Sequence, residues 1–487
     1  MKKMNLLVMS LISAAALSFT SCSSNDDLAN GNAGQEKVDG FYMTLNVQTP
    51  KSDGTRTVLP KDSTIAASAA ESDVTSGTIY LVDAAGNVVF TKPITESDWK
   101  AGKPTQGNNG STQLKIAVED VVAGATYKVY FLANATDEKP WKNIFTAANK
   151  FAKPYDTDNN FAMFNQNDKD VNGNGYTVVF TDDNKKEANA AQIKYDNAVS
   201  PIKIERLTAR IDEPTSNVAK IVAYTKDDAT PAEKKAMKDA IDKVESIKMT
   251  GYAISNLANK SYIMQNWTGE TLNIPSGITY YQPTTEFGTA TKLENGNYFT
   301  AATAPNTHKD YVFENNSSTA ATSMYFEYTV KLKDMTNADF SDGTFYRYNN
   351  VIYKSFADIY KAYNDVEGLF GGKTVEEMTK EVKEAKAAPT AEGEATVESK
   401  LDEFRKAYQI EVFNCGKTYY KQAIKDQYIG YENAIQRNSI YRLTVNNIFN
   451  VGAQVPNGTP DKEGLFYLDV TVSVNPWVLN TQNVDFK

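Results

Sequence analysis

Residues 41–48, FYMTLNVQ, hold the pattern on which the reading of the whole chain depends. Apolar and more polar side chains alternate along this stretch, and the apolar ones are Phe41, Met43, Leu45 and Val47. Successive side chains of a β-strand point to opposite faces, so a period of two predicts a strand with one buried face. Pro50 follows and is expected to end the strand.

A polar linker, residues 51–56, KSDGTR, comes next and ends in Arg56, the first arginine of the chain. Exposed polar segments of this kind are preferred sites of proteolysis. Two interpretations are open from these residues. The stretch is either an ordinary first strand with a surface loop, or a strand that is cut from the body after Arg56. In the second case a strand from another molecule would fill its groove.

Composition sets broad limits on fold and function. The 487 residues are enough for two or more domains with their own cores. The 28 tyrosines and 22 phenylalanines favour β structure. A formal net charge of −9, without a basic cluster, argues against nucleic acid as a partner.

The amino terminus is typical of a secreted lipoprotein. Lys2 and Lys3 precede an apolar run over residues 6–19 that is too short to span a membrane, so residues 1–21 are predicted to be a signal peptide. Small residues directly before Cys22 resemble the recognition sequence of lipoprotein signal peptidase, which predicts acylation of Cys22, for example by palmitate. The stretch 23–27, SSNDD, resembles the surface-export tether of Bacteroidetes lipoproteins. A plain secretory signal with an incidental cysteine is the alternative.

The second cysteine, Cys415, would then have no disulfide partner, since the chain contains two cysteines in all. We expect it to be a buried free thiol.

The rest of the chain divides into two predicted β domains. Short strands separated by Gly- and Asn-rich turns over residues 57–215 predict an N-terminal β-sandwich, which includes a long strand at 201–211. Residues 216–477 predict a second sandwich. Within it, the period changes at 355–408, which predicts an inserted group of helices. An extended tail, 478–487, follows Pro476 and Trp477.

No constellation for catalysis is recognisable, and no enzyme activity or cofactor is predicted. The single histidine, His308, lies in a polar loop without features of a catalytic triad, and cysteine and histidine are too few for a zinc site. Asp168, Asp170 and Asn172 match the first half of a calcium-binding EF-hand loop. Its twelfth position is Val179, where a glutamate is required. Asn/Asp/Gly loops are also common simply as turns, so these three residues are a weak candidate and no metal is predicted.

Three segments together resemble a known family. They are residues 204–210 (IERLTAR), residues 437–443 (RNSIYRL) and the Pro476-Trp477 pair. With the lipoprotein signal and the strand before Arg56, they are similar to the Mfa1-type major fimbrial subunits of Bacteroidales, the fimbrillins or type V pilins. The resemblance implies an all-β fold of two tandem transthyretin-like β-sandwich domains. It also implies a precursor that reaches the outer membrane through a lipid anchor, and a mature form in cell-surface fimbriae for adhesion and biofilm formation.

The same resemblance implies how the subunit would assemble. An arginine-specific protease would cut after Arg56, leave Thr57 as the new first residue and release the strand 41–48. The C-terminal tail of another copy would then enter the groove by donor-strand exchange. The expected donor is 478–486, with Val478, Val484 and Phe486 as its apolar side chains. The segment 468–474 alternates more regularly but is expected to be an internal strand. Implied partners are copies of the same chain and accessory fimbrial subunits.

Two other functions stay open at this point. A tip or anchor subunit of the same fimbrium is one. A surface glycan-binding lipoprotein is the other, and it would need an exposed aromatic platform from Trp99, Trp141 or Trp267.

Overall fold

The computed structural model describes residues 40–48, 65–67, 71, 74–102, 111–134, 161–166, 175–225, 227–269, 271–281, 300–301, 309–388, 397–426, 433–455 and 468–479. The predicted all-β class is confirmed, because strands in several sheets make up most of the regular secondary structure in the described residues. In the part of the chain that is described, no helix is both long and apolar enough to cross a membrane.

The strands are numbered in chain order. Those before residue 207 are β1 (Phe41–Gln48), β2 (Ile65–Ala67), β3 (Gly77–Val82), β4 (Val88–Ile94), β5 (Ser111–Val118), β6 (Thr126–Ala133), β7 (Met163–Asn165), β8 (Tyr176–Val179), β9 (Ala191–Gln192), β10 (Lys194–Tyr195), β11 (Ala198–Val199) and β12 (Ile202–Arg206). Those after it are β13 (Ala209–Asp212), β14 (Thr215–Ser216), β15 (Val244–Ser255), β16 (Leu257–Ala258), β17 (Asn266–Thr268), β18 (Thr271–Asn273), β19 (Tyr280–Tyr281), β20 (Thr300–Ala301), β21 (Lys309–Val312), β22 (Ser323–Leu332), β23 (Phe345–Tyr348), β24 (Val351–Tyr353), β25 (Ile410–Phe413), β26 (Lys417–Ala423), β27 (Ser439–Ile448) and β28 (Leu468–Leu479). The helices are α1 (Glu96–Ala101), α2 (Pro231–Lys243), α3 (Phe356–Ala362), α4 (Val375–Lys386) and α5 (Val397–Tyr408).

Eleven strands from the N-terminal half form one continuous sheet. Its main order is β11-β10-β8-β6-β7-β12-β1-β5, β3 links β6 to β4, and β9 lies beside β1. One hydrophobic core contains apolar residues from β1, β3, β5, β6, β8 and β12. All four apolar residues of the alternating stretch 41–48 belong to this core, so the predicted strand and its buried face are observed.

A second core lies between two further sheets. One has six strands, ordered β2-β28-β27-β13-β21 with β14 beside β27, and the other is ordered β20-β15-β22-β26. Buried residues of β13 and β27 meet buried residues of β15, β22 and β26 in a single cluster. The C-terminal half is therefore built around its own two-layer core.

The helices α3, α4 and α5 follow one another between β24 and β25, where the sequence predicts an insertion. Thr374 and Glu377 form the capping box of α4: the Thr374 hydroxyl accepts from the Glu377 N–H, and the Glu377 carboxylate accepts from the Thr374 N–H. The inner faces of the three helices cover the small sheet β24-β23-β25 and form a third core.

The long strand predicted at 201–211 is wrong. The chain leaves the first sheet at Arg206 and enters the second at Ala209, so that β12 and β13 belong to different sheets. Leu207 and Thr208, both buried, form the link. The chain thus passes from the first sheet to the second at residues 207–208, upstream of the domain boundary predicted at 215–216.

The C-terminal segment also differs from the expectation. Leu468–Leu479 is one strand that runs through Pro476 and Trp477, whereas the sequence predicts an internal strand at 468–474 and a separate tail from residue 478. Pro476 pairs with Ser439, the first residue of β27, at the end of that ladder. A proline lacks an N–H donor, and a ladder end is one of the places in a sheet where this loss is tolerated.

Cys415 is exposed rather than buried. It occupies a tight turn between β25 and β26 with φ of +53°, a left-handed conformation imposed by the turn. The apolar neighbours in the sequence belong to the flanking strands, not to the turn.

Candidate functional site

The strand β1 lies inside the first sheet and is paired on both sides. It pairs antiparallel with β5 along its whole length, from Phe41 opposite Val118 to Gln48 opposite Ser111. On the other side it pairs in parallel with two short strands, β9 near Met43 and β12 near Val47. We call the space that β1 fills between these three strands the β1 seat.

The strand β5 depends on β1. Within the described ranges β1 is its sole strand partner, which makes β5 the last strand of the sheet. The main-chain N–H of Gln113 also donates to the carbonyl of Gly102, at 3.2 Å. Removal of β1 would therefore leave a row of unpaired N–H and C=O groups along β5, and such groups pair readily with another chain.

The apolar side chains of β1 fill the inner face of the seat. Met43, Leu45 and Val47 are fully buried, and Phe41 is 9% exposed. The Phe41 ring packs on Phe180 with ring centroids 5.5 Å apart. Each such side chain contributes roughly 1.5–3 kcal/mol when it is buried. An empty seat would expose a continuous apolar trough.

The polar side chains of β1 make few hydrogen bonds. The Gln192 side-chain amide donates to the Thr44 hydroxyl at 3.0 Å. The buried Oδ1 of Asn46 accepts no hydrogen bond from the described residues. An unsatisfied buried acceptor costs about 1–3 kcal/mol. β1 is thus held chiefly by its apolar face.

The C-terminal strand β28 pairs with one strand over most of its length and with another at its end. From Leu468 to Pro476 it pairs antiparallel with β27. From Trp477 to Leu479 its partner is β2, in parallel register, with Val478 opposite Ala66. The segment 468–474 accordingly pairs within its own chain, and Val478 lies in the same strand.

Several predicted residues lie outside the described ranges, and their placement stays a prediction. These are Cys22, Arg56, Thr57, Trp141, Asp168, Asp170, Asn172, His308, Val484 and Phe486. Within the described ranges, no group of three or more histidine, cysteine, aspartate or glutamate side chains is arranged to hold a metal ion.

Trp99 and Trp267 do not form an exposed platform. Trp99 is 3% exposed and stacks on Phe131 with centroids 5.6 Å apart, and Trp267 is 9% exposed. Both rings therefore belong to the interior of the described structure.

The segments 204–210 and 437–443, which carry the family resemblance, meet in space. The Arg206 guanidinium is fully buried and donates from Nη1 to the Asn438 side-chain oxygen at 2.8 Å. Arg437 is also buried and pairs with Glu314 at 2.8 Å. The Tyr441 hydroxyl donates to Asp426 at 2.7 Å, and burial together with this carboxylate raises the pKa of Tyr441 well above its usual value.

This buried polar network was missed by the sequence reasoning, which treated the two segments only as signatures. Burial lowers the pKa of Arg206 to about 9, and the charge of Glu71 opposes that shift, so the guanidinium stays charged at neutral pH. The sequence does carry one signal of this network: arginines stand at positions of the alternating stretches where buried side chains are expected.

Comparison with known proteins supports the family resemblance at the C-terminal end. Residues 411–483 match the family described as "Major fimbrial subunit protein type IV, Fimbrillin, C-terminal". This range contains β26 and β27 and the described strand β28. No curated protein matches the full sequence significantly.

Several solved structures are partly similar to this chain. A candidate cell adhesion protein of Parabacteroides distasonis is 13% identical, with 91% of this chain and 99% of that chain covered and a TM-score of 0.47. A candidate cell adhesion protein of Bacteroides eggerthii is 11% identical, with 91% and 98% covered and a TM-score of 0.41. A fimbrial assembly protein of Parabacteroides distasonis is 11% identical, with 61% and 99% covered and a TM-score of 0.27.

The fimbrillin match confirms the predicted resemblance over residues 411–483, the C-terminal part of the chain. The match supports a role as a fimbrial subunit.

Proposed function

We propose that this chain is a stalk subunit that polymerises by donor-strand exchange. A lipoprotein precursor, acylated at Cys22 and held at the outer membrane, would be cut after Arg56 by an arginine-specific protease. The mature subunit would start at Thr57 and lose β1. The C-terminal tail of another copy would then fill the β1 seat, and repetition would build an adhesive fimbrium that supports biofilm formation.

The observation that carries this proposal is the position of β1. It is an internal strand at the very start of the described chain, it is the strand partner of β5, and its four apolar side chains belong to the first core. A strand in this position can leave the fold only if another strand replaces it.

The energies involved support replacement rather than an empty seat. Four apolar side chains at roughly 1.5–3 kcal/mol each amount to about 6–12 kcal/mol. The whole stability of a domain is about 5–15 kcal/mol. A subunit without β1 would therefore lose much of its stability, and binding a new strand would restore both the apolar contacts and the ladder of β5.

The proposed donor is the tail that continues from β28. Val478 pairs with Ala66 in the structure, so in this proposal it is the base of the donor. Val484 and Phe486 are two residues apart and would point to the same face of an extended strand. Their spacing equals that of neighbouring apolar residues in β1, such as Leu45 and Val47.

The experiment that tests the proposal is amino-terminal sequencing of fimbriae sheared from the surface of producing cells and analysed unboiled in SDS. We expect a ladder of multimers whose subunits start at Thr57 and which collapses to a monomer after heating. A lipid-modified monomer that starts at Cys22 would contradict the proposal and favour an anchor or a glycan-binding lipoprotein.

A second prediction concerns the seat itself. Leu45→Ala removes a fully buried side chain from the first core and should destabilise the uncut precursor by about 2–5 kcal/mol. The matched control is Gln48→Ala at the half-buried end of the same strand, expected to cost less than about 0.5 kcal/mol. Urea unfolding measures the change in the free energy of unfolding for each variant, and amide exchange in β5 measures the local loss of protection. Equal effects of the two substitutions would mean that β1 does not complete this core.

A further inference from the structure

We propose that Glu71 and β2 together fasten the segment downstream of Arg56 to the base of the C-terminal strand. Cleavage would then release β1 alone, and the base of the donor tail would stay fixed. This inference rests on the proposed function for the role of the cut, whereas the fastening itself is a property of the uncut chain.

The first observation is the pairing of β2. It lies in parallel beside the last three described residues of β28, with Ile65 opposite Trp477 and Ala67 opposite Leu479. The ladder with β27 has already ended, because its last pair joins Ser439 and Pro476. In the described structure β2 is therefore the strand that holds the end of β28 in extended form.

Three residue pairs of parallel strand are a weak attachment by themselves, since short isolated ladders are marginally stable in water. A second attachment lies close by in the sequence, at Glu71. Its side chain is 2% exposed. The carboxylate accepts from Arg210 Nη1 at 2.9 Å and from the Tyr311 hydroxyl at 2.8 Å, and it lies 3.3 Å from Lys309 Nζ.

The main chain of Glu71 is held as well. Its carbonyl oxygen accepts from the Nε of Arg206 at 2.5 Å. Arg206 ends β12 of the first sheet, whereas Arg210 and Tyr311 lie on β13 and β21 of the second. Glu71 thus binds strands of both sheets, and none of these partners is in β1. Excision of β1 would leave every one of these contacts in place.

The charges around Glu71 explain why the carboxylate is needed. Arg206 and Arg210 are both buried, and a buried cation is stable only when an anion and further hydrogen bonds compensate for lost solvation. Asp212 pairs with Arg210 at 2.7 Å but also with Arg442 at 2.7 Å. Glu71 is therefore the second carboxylate that this cluster of cations requires.

Protonation equilibria agree with this geometry. Burial alone would disfavour the charged form of Arg210, but hydrogen bonds and charges from Asp212 and Glu71 outweigh it and raise the pKa of Arg210. Burial and the hydrogen bond to Glu71 likewise raise the pKa of Tyr311. The hydroxyl therefore remains protonated and continues to donate to Glu71 at physiological pH.

The test is hydrogen–deuterium exchange on the full, uncut chain. Glu71→Gln removes the negative charge but keeps the shape of the side chain. We expect the amides of 65–67 and 477–479 to exchange at least about tenfold faster, while those of β1 and β5 are unchanged. The matched control is Glu411→Gln, which breaks the ion pair with Arg347 in the C-terminal half and should leave 477–479 unaffected.

A second variant keeps the inference testable if Glu71→Gln fails to fold. Ala66→Pro disturbs β2 without touching the charged cluster, and it should increase exchange at 477–479 by a similar factor. Unchanged exchange at 477–479 in a folded variant would overturn the inference, as would equal loss of protection throughout β1 and β5. Because the chain is uncut, this result is independent of whether Arg56 is the cleavage site, which amino-terminal sequencing decides separately.

Discussion

The Arg56→Ala precursor is expected to stay uncut and monomeric, with loss of the multimer ladder by about 100-fold or more. In the uncut chain β1 occupies the seat and is covalently linked to the rest of the subunit. An intramolecular strand acts at an effective concentration in the millimolar range, well above that of any free subunit tail. The seat would therefore be closed to the tail of another copy. Unboiled SDS gels and electron microscopy of sheared material measure the loss.

Two matched variants sharpen this experiment. Lys51→Ala removes a basic residue from the same linker and should be processed normally. Arg56→Lys separates an arginine-specific protease, which would leave it uncut, from a trypsin-like protease that accepts both residues. Normal fimbriae from Arg56→Ala would show that assembly does not need cleavage at this position.

The strand at the centre of this proposal was predictable because its signal is local. A period of two over residues 41–48 defines the buried face, and the structure places Met43, Leu45 and Val47 in the core. The same pattern does not specify neighbours. The partners of β1 lie far along the chain, at β5, β9 and β12, and pairing over such distances depends on tertiary packing rather than on local sequence.

The helical insertion was also predictable, since capping signals are local. Ser355 begins α3 by accepting from the N–H of Asp358, and Thr374 and Glu377 form the capping box of α4. The break between β12 and β13 was not, because apolar residues recur through Leu207 to Ile211 while the chain changes sheets. Its position depends on Arg206, whose partner Asn438 is 232 residues away.

The buried cluster around Glu71 shows a further limit of sequence reasoning. A single glutamate after an alanine-rich stretch carries no signal of burial, and charged residues are rarely buried unless they are paired. Its partners Arg206, Arg210 and Tyr311 come from three separate strands. The cluster became recognisable only when these strands were placed together.

Deletion of residues 480–487 is expected to yield a folded, processed subunit that does not elongate. The pairings of β28 with β27 and β2 end at Leu479, so the deletion removes no described ladder. The truncated copy would keep its β1 seat and lose the donor. Loss of the multimer ladder should again be about 100-fold or more, since the tail supplies both the apolar side chains and the backbone partners for the seat.

Mixing the truncated copy with full-length subunits separates a missing donor from general misfolding. A folded copy with an open seat accepts one tail but offers none, so small amounts should shorten the fimbriae in proportion to their fraction. An inactive, misfolded copy would leave their length unchanged. A double substitution, Val484→Asp with Phe486→Asp, should shorten the fimbriae in the same way. The control substitution Gln482→Ala, in the same tail, should not. Full-length fimbriae made from the truncated copy alone would show that the donor lies elsewhere, with 468–474 as the segment to examine next.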